Sequence, residues 1–206
     1  MDRGEKLALF LGMLSGDGCL PIKHSGQGFR DYAVQFYNAD ENVVRLFNDL
    51  MSDLFGKSGK MHYNARPNKK MLFSICNYSK KIYSEITKMG FPEGVKRDAL
   101  RVPEMIKNGK DGEKTAFFVG FLITDGYLRK DRKSILFHSG SKIFLEELSS
   151  LISEAIGSAK PVKEFVQREK FRSYQLSLNK LETARILSNM PTWDNGTPLV
   201  LSFLEK

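Results

Sequence analysis

The chain has 206 residues, 41% of them hydrophobic and 27% charged, which suits one large domain or two of about 100 residues with a real core. Its 32 Lys and Arg against 24 Asp and Glu leave a formal net charge of +8, a balance common in proteins that meet nucleic acid or another anionic surface. Two cysteines, Cys19 and Cys76, make no disulfide framework, and three scattered histidines make no zinc pattern. No apolar stretch approaches the ~18 residues of a membrane span. Acidic Asp2 and Glu5 ahead of "LALFLGML" make a poor signal peptide. A reduced compartment is expected, either the cytoplasm of a prokaryote or the matrix of an organelle that encodes the protein.

The first element is an apolar helix pattern that ends "FLGMLSGDG" (Phe10 to Gly18). Gly12 and Gly16 lie one helical turn apart, on one face, where small residues allow a second helix to approach closely. Gly18 is expected to close the helix in the left-handed conformation. Asp17 then sits at the negative end of a helix, a poor place for a carboxylate.

A loop follows, then a strand pattern "DYAVQFYN". Next comes a helix over "ENVVRLFNDLMSDLFG", in which Val43, Leu46, Phe47, Leu50, Met51 and Leu54 recur with a 3.6 period and Gly56 stands as the C-cap. "KMHYNAR" and "KMLFSIC" read as two strands and "SKKIYSEITKMGF" as a helix. In the first strand Met61, Tyr63 and Ala65 face a core, while Lys60, His62, Asn64 and Arg66 face out. The stretch "VPEMIKNGKDGEK" reads as a turn-rich connector.

"FVGFLITDG" (Phe118 to Gly126) then repeats the opening device, with Gly120 for Gly12, Thr124 for Gly16 and Asp125 for Asp17. "SILFHS", "KIFLEELSSLISEAIG", "VKEFVQR", "SYQLSLN" and "KLETARILSNMP" follow in the same order of strand, helix, strand, strand, helix. In "SYQLSL" Tyr174, Leu176 and Leu178 face a core. The chain is therefore a tandem duplication, with repeats at 1–108, including a connector beginning near 102, and at 109–206. Parallel packing of the two small-faced helices would bring Asp17 and Asp125 together, and two such carboxylates repel unless a hard divalent cation joins them. One Asp-Gly is only a turn; two at matching places above basic strand faces describe a phosphodiester-cleaving site.

These paired motifs resemble the signatures of LAGLIDADG homing endonucleases in the single-chain, two-repeat form. The resemblance covers nearly the whole chain. It implies an α+β fold of two pseudo-symmetric αββαββα-type repeats, forming a saddle of antiparallel sheets with the two motif helices packed at the interface. It implies a metal-dependent double-strand break in a long pseudo-palindromic DNA target, in the homing of a mobile intron. Asp17 and Asp125 would bind metal, aided by the carbonyls of Gly16 and Thr124. Mg²⁺ would be the cofactor, Mn²⁺ would substitute, and Ca²⁺ would bind without supporting cleavage. "GFPEGVKRDALRVP" resembles the family's segment with a basic residue near the metals, so Lys96 is a third catalytic candidate; it could equally be a surface lysine. Aligning Met89 with Met190 puts Thr197 opposite Lys96 and leaves the second repeat without that lysine.

Base or phosphate contacts are expected from Arg30, Gln35, His62, Asn64, Arg66, Lys70 and Ser74 in the first repeat. Ser134, His138, Lys163, Gln167, Arg172 and Gln175 would supply them in the second, each being as compatible with a merely solvated strand face. Lys23, Arg129, Lys130, Arg132 and Lys133 would touch phosphate. No splicing cysteine opens the chain and no His-Asn ends it, so a free-standing monomer encoded by an intron is expected. Its partner would be duplex DNA, plus intron RNA if it also acts as a maturase. The alternative is a non-cleaving DNA binder or maturase on the same scaffold.

Overall fold

A computed structural model describes residues 1–24, 30–64, 71–129, 134–167 and 171–188. The first half runs α1 (Arg3–Asp17), β1 (Gly18–Cys19), β2 (Ile22–His24), β3 (Arg30–Asn38), α2 (Glu41–Phe55), β4 (Lys60–Asn64), β5 (Leu72–Tyr78) and α3 (Lys80–Lys88). A short α4 (Glu104–Lys107) leads to α5 (Asp111–Asp125), β6 (Gly126–Arg129), β7 (Ser134–Ser139), α6 (Lys142–Ile156), β8 (Lys163–Gln167), β9 (Phe171–Leu178) and α7 (Lys180–Ser188). Both sheets are antiparallel. The first has strand order β1-β3-β5-β4 with β2 also on β3, and the second has β6-β7-β9-β8. The fold is α+β, and each half runs helix, strands, helix, two strands, helix, with three strands (β1 to β3) after α1 and two (β6 and β7) after α5. Among the described residues no helix is long and apolar enough to cross a membrane.

The duplication shows in details of sequence. Asp40 caps α2 and Ser141 caps α6, each with its side chain accepting a backbone N–H. Gly56 and Gly157 end those helices at φ 67° and 87°, the left-handed conformation that glycine adopts without strain. Aromatic rings pack on each motif helix, from α2 in the first half and from the sheet in the second. Phe47 lies between Phe10 and Phe36, at centroid distances of 4.6 and 4.1 Å. Phe137 meets Phe118 at 5.2 Å and Phe121 at 5.5 Å. One continuous apolar core joins the two halves through α1 and α5.

The motif helices meet along a stripe longer than the sequence pattern noted. A Cβ on Gly12 would overlap the Phe117 carbonyl, and one on Gly120 would overlap the Leu9 carbonyl. A Cβ on Gly4 would strike Glu113, and one on Gly112 would strike Glu5. Gly4, Ala8, Gly12 and Gly16 therefore form one small-residue row, and Gly112, Ala116, Gly120 and Thr124 form the other. Ala8 and Ala116 are fully buried.

Four expectations need correction. Gly18 and Gly126 are extended, at φ −95° and −80°, so each motif helix runs straight into a strand and not into a left-handed turn. Glycine is needed there for space, because a Cβ would overlap Leu14 or Leu122 in the preceding turn. The stretch expected as a loop after the first motif holds β1 and β2. The turn-rich connector holds α4 and the first turn of α5. Tyr63, expected in the core, is 77% exposed, because β4 is an edge strand that runs past the helices.

Candidate active site

The close approach of α1 and α5 delivers their last residues to one place. A Cβ on Gly16 would overlap the Thr124 hydroxyl and stand 3.5 Å from the Asp125 carboxyl carbon. Asp17 is half-buried and Asp125 keeps an exposed flank. Loss of solvent and the nearby Asp125 charge raise the Asp17 pKa to about 7. Asp125 is also raised, again by loss of solvent, although Lys96 and His138 partly offset the shift. Protein packed beneath Asp125 therefore outweighs its open side.

Lys96 reaches this point from the segment after α3. Its ammonium donates to the carbonyl oxygens of Leu14 at 3.4 Å, of Ser15 at 2.8 Å and of Gly16. These carbonyls belong to the last turn of α1, where Leu14's also accepts the Gly18 N–H, so the lysine caps a helix end of matching negative polarity. Burial lowers the Lys96 pKa, while Asp125 and Asp17 pull it back up. A neutral donor was missed in the sequence. Asn38, at the end of β3, donates from Nδ2 to Asp17 Oδ2 at 2.6 Å, while its own Oδ1 accepts from the Asp40 N–H. Its counterpart Ser139 accepts from the Ser141 N–H in the same way.

The donor set fits a hard divalent ion in part. Two adjoining carboxylates with raised pKa values are the pair such an ion would stabilise. Among the described residues no three His, Cys, Asp or Glu side chains cluster, so other ligands would have to be carbonyls, water or phosphate oxygens. Of the two carbonyls expected to help, Gly16's is occupied by the Lys96 ammonium and opens only if that ammonium moves. Thr124 turns its hydroxyl back onto the Gly120 and Phe121 carbonyls.

The expected DNA-contacting residues divide. Lys163, Gln175 and His138 lie opposite one another across β8, β9 and β7, with Gln175 Nε2 3.2 Å from His138 Nε2. Lys60, His62 and Asn64 are exposed along β4, and His62 stands opposite the half-buried Ser74. Arg129 ends β6 opposite Ser134. Gln35 and Ser134 are corrected: each is only 9% exposed. Gln35 accepts from the Tyr37 hydroxyl at 2.8 Å and lies between the thiols of Cys19 and Cys76, so its amide is already engaged. Arg172 stands opposite Val166, in the parity of Leu176 and not of Gln175. The side chains of Lys23, Arg30, Gln167 and Arg172 are not among those described. Arg66, Lys70, Lys130, Arg132, Lys133 and Thr197 lie outside the described residues. Tyr37, Tyr127 and Phe165 are exposed among the polar side chains of the same faces, a contribution that a search for polar residues overlooks.

The fold is similar to that of two-repeat LAGLIDADG structures, and the second repeat is similar in sequence to the same family. Residues 112–190 match the family model of the LAGLIDADG-like domain, which covers the greater part of the second repeat. Among solved structures, I-DmoI, a homing endonuclease, in complex with DNA and Ca aligns over 100% of both chains with a TM-score of 0.72 and 18% identity. The homing endonuclease I-WcaI, bound to its DNA recognition sequence, aligns over 91% of this chain and 80% of that one, with a TM-score of 0.60 and 12% identity. Among curated proteins, a component of the A-type ATP synthase of Pyrococcus abyssi is 27% identical over 194 residues. A DNA polymerase of a Thermococcus species is 25% identical over 134 residues. Those alignments take in 92% and 63% of this chain but only 18% and 7% of the relatives' own lengths.

Proposed function

We propose that this chain is a divalent-metal-dependent endonuclease that makes a site-specific double-strand break in duplex DNA. The observation that carries the reading is the pair of carboxylates, Asp17 and Asp125, held side by side at abutting helix ends with both pKa values raised by loss of solvent despite the nearby Lys96. No structural need explains that cost. A divalent cation held between them, with Mg²⁺ the candidate and Mn²⁺ the expected substitute, would supply charge to a phosphodiester and acidify a bound water. The DNA and metal complexes of fold neighbours support the same partner and ion class.

The chain's own residues have definable parts in this reaction. Asn38 fixes the Asp17 carboxylate through one oxygen and leaves the other for the ion. Lys96 leaves the α1 carbonyls for the phosphoryl oxygens as negative charge builds there, and its departure opens the Gly16 carbonyl. In the hydrolysis the water oxygen forms the new P–O bond, a bridging P–O bond breaks, and the departing oxygen takes up a proton. The outer strand faces, carrying Lys60, His62, Lys163, Gln175 and His138, lie along the duplex.

The curated matches bear on mobility. A DNA polymerase and a component of an ATP synthase share no reaction, yet each matches this chain over a small part of its length. A segment inserted into unrelated hosts accounts for both, and a DNA break at an empty site is how such a segment spreads. That arrangement favours an in-frame insertion as strongly as an intron.

The test is a cleavage selection on a randomised duplex library in Mg²⁺, with Asp17→Asn and Asp125→Asn beside the natural chain. Double-strand cutting that either variant abolishes supports the proposal. Tight, salt-sensitive duplex binding without cutting in Mg²⁺ or Mn²⁺ rejects it for the binding or maturase reading, with intron RNA as the next substrate.

A further inference from the structure

Both cysteines of the chain lie in its first half, and the fold sets them in one row. Cys19 on β1 stands opposite Gln35 on β3, Gln35 opposite Cys76 on β5, and Cys76 opposite Lys60 on β4. Residues paired in this way share one face of a sheet, here the outer face that also carries His62. Cys76 alternates along β5 with Ile75 and Asn77, which are buried on the core side, while its own thiol is half-buried. Gln35 lies between the two sulfurs. Its Oε1 accepts from Cys19 Sγ at 3.8 Å, and its Nε2 donates to Cys76 Sγ at 3.7 Å. Tyr78, two residues along β5 and exposed, has its pKa raised first by a hydrogen bond to the Cys76 sulfur. Loss of solvent raises the Tyr37 pKa, and both cysteines add to the shift, so that phenol stands near the pair as well. The sulfurs cannot be joined to each other as the sheet stands. With β3 between their strands, their Cα atoms are two strand spacings or roughly 9.6 Å apart, against the ~7 Å that a disulfide allows. On the second sheet the same register places Tyr127, Leu136 and Ser177 in a row, so a thiol pair is no requirement of a sheet in this fold.

We propose that this row is a thiol-modification site, at which Cys76 exchanges with an anionic low-molecular-weight disulfide and the mixed disulfide so formed closes the first strand face to duplex DNA. The inference rests on the reading that the strand faces lie along the duplex, and not on cleavage. In the exchange the Cys76 sulfur attacks one sulfur of the incoming disulfide. A new S–S bond forms as the old one breaks, and the released thiol carries away the electron pair and the proton that Cys76 gave up. Cys76 is oxidised and the incoming disulfide is reduced. Lys60, opposite Cys76, offers a cation to the carboxylates of such a reagent. The adduct then sets bulk and negative charge on a middle strand, where a polyanion would have to lie. Reduction reverses the step, so binding would follow the redox state of the surroundings.

The experiment uses the full chain, reduced or incubated with oxidised glutathione, and a duplex recovered by binding selection in Ca²⁺ from a randomised library. Peptide mass mapping locates the adduct, and duplex affinity is measured for the natural chain, Cys19→Ser and Cys76→Ser. The natural chain and Cys19→Ser should take up glutathione at Cys76, lose at least about tenfold in affinity, and regain it with dithiothreitol. Cys76→Ser should bind as the reduced natural chain does and keep its affinity in oxidised glutathione. Modification of Cys76 only after denaturation, or an adduct that leaves affinity unchanged, would overturn the proposal. An equal loss in Cys76→Ser would overturn the assignment to Cys76. Collapse of the circular dichroism on adduct formation would overturn the blocking step, because the chain would have unfolded instead. Binding that the adduct blocks in a chain that never cuts DNA would remove the nuclease reading and leave this one standing. A reduced chain that binds no duplex would overturn the blocking step together with the DNA reading.

Discussion

Asp17 is the residue whose titration has the plainest consequence. Its folded pKa, near 7, lies above the unfolded value of 3.8, so between those values the folded state binds more protons than the unfolded one. Stability therefore falls as pH rises from about 4 to about 7 and levels off above, when no metal is present. Denaturant melts of the natural chain and Asp17→Asn should diverge across that window, the variant gaining on the natural chain towards pH 7; parallel curves would show that the carboxylate is not strained. Added Ca²⁺ should raise the melting temperature of the natural chain at pH 7 and do little for the double Asn variant, because an ion that binds only the folded state stabilises it. Lys96→Met should remove the cap on the α1 carbonyls and cost about 1 kcal/mol of stability, a net hydrogen-bond contribution, with a larger loss in cleavage rate. The pairing of the two carboxylates was legible because type, position and repetition all pointed the same way, whereas Lys96, which is not repeated, was expected only from the family resemblance. Asn38 was not, since an asparagine at a strand end reads as turn chemistry until the fold carries it to the Asp17 carboxylate. Gln35 and Ser134 failed in the opposite direction. Strand parity puts both on the outer face, but Tyr37, Cys19 and Cys76 bury the glutamine there.

For the elements, the motif helices decide the outcome. Alanine in place of Gly120 gains about 1 kcal/mol in helix propensity. Its methyl group must also displace the Leu9 carbonyl and the Met13 N–H, backbone that cannot turn aside. Overpacking of that kind costs about 1–3 kcal/mol or more, so Gly120→Ala should be destabilising in urea melts despite the better helix former. Gly56→Ala meets no neighbouring atom and should lose only the cost of a left-handed residue, about 1 kcal/mol. The stripe could have been followed to its start in the sequence, since Gly4, Ala8, Gly112 and Ala116 keep the same spacing as the glycines nearer the carboxylates. The short strands β1 and β2 could not. Two or three residues show no period, and what makes β1 is pairing with Phe36 and Gln35, far along the chain. The extended glycines escaped notice because an Asp-Gly after a helix is compatible with a turn or a strand, and only the crowding against Leu14 and Leu122 selects the strand.

For the whole molecule, the duplication was legible from order alone, while its departures from symmetry were not. Lys96 and Arg97 lie on a segment of the first half, yet Arg97 packs on Gly140 in the second. Nothing local in "GVKRDALRVP" announces that crossing. The net charge makes a separate prediction. Duplex affinity should fall steeply with salt, on the order of a thousandfold between 50 and 200 mM if about six phosphates are neutralised. A shallow dependence in a filter-binding series would show that the basic strand faces do not track the backbone.

The reciprocal glycine contacts between α1 and α5 also act as a gauge. Backbone rests on backbone at Gly12 and Gly120, so the separation of Asp17 and Asp125 is set by main-chain atoms that no side-chain replacement elsewhere can tune. On the nuclease reading, the offset between the two cuts is inherited from that seam. The strand faces are free of it. Their side chains can be exchanged to suit a new target while the cutting geometry stays constant, so a lineage of such chains could change address repeatedly without reinventing its chemistry.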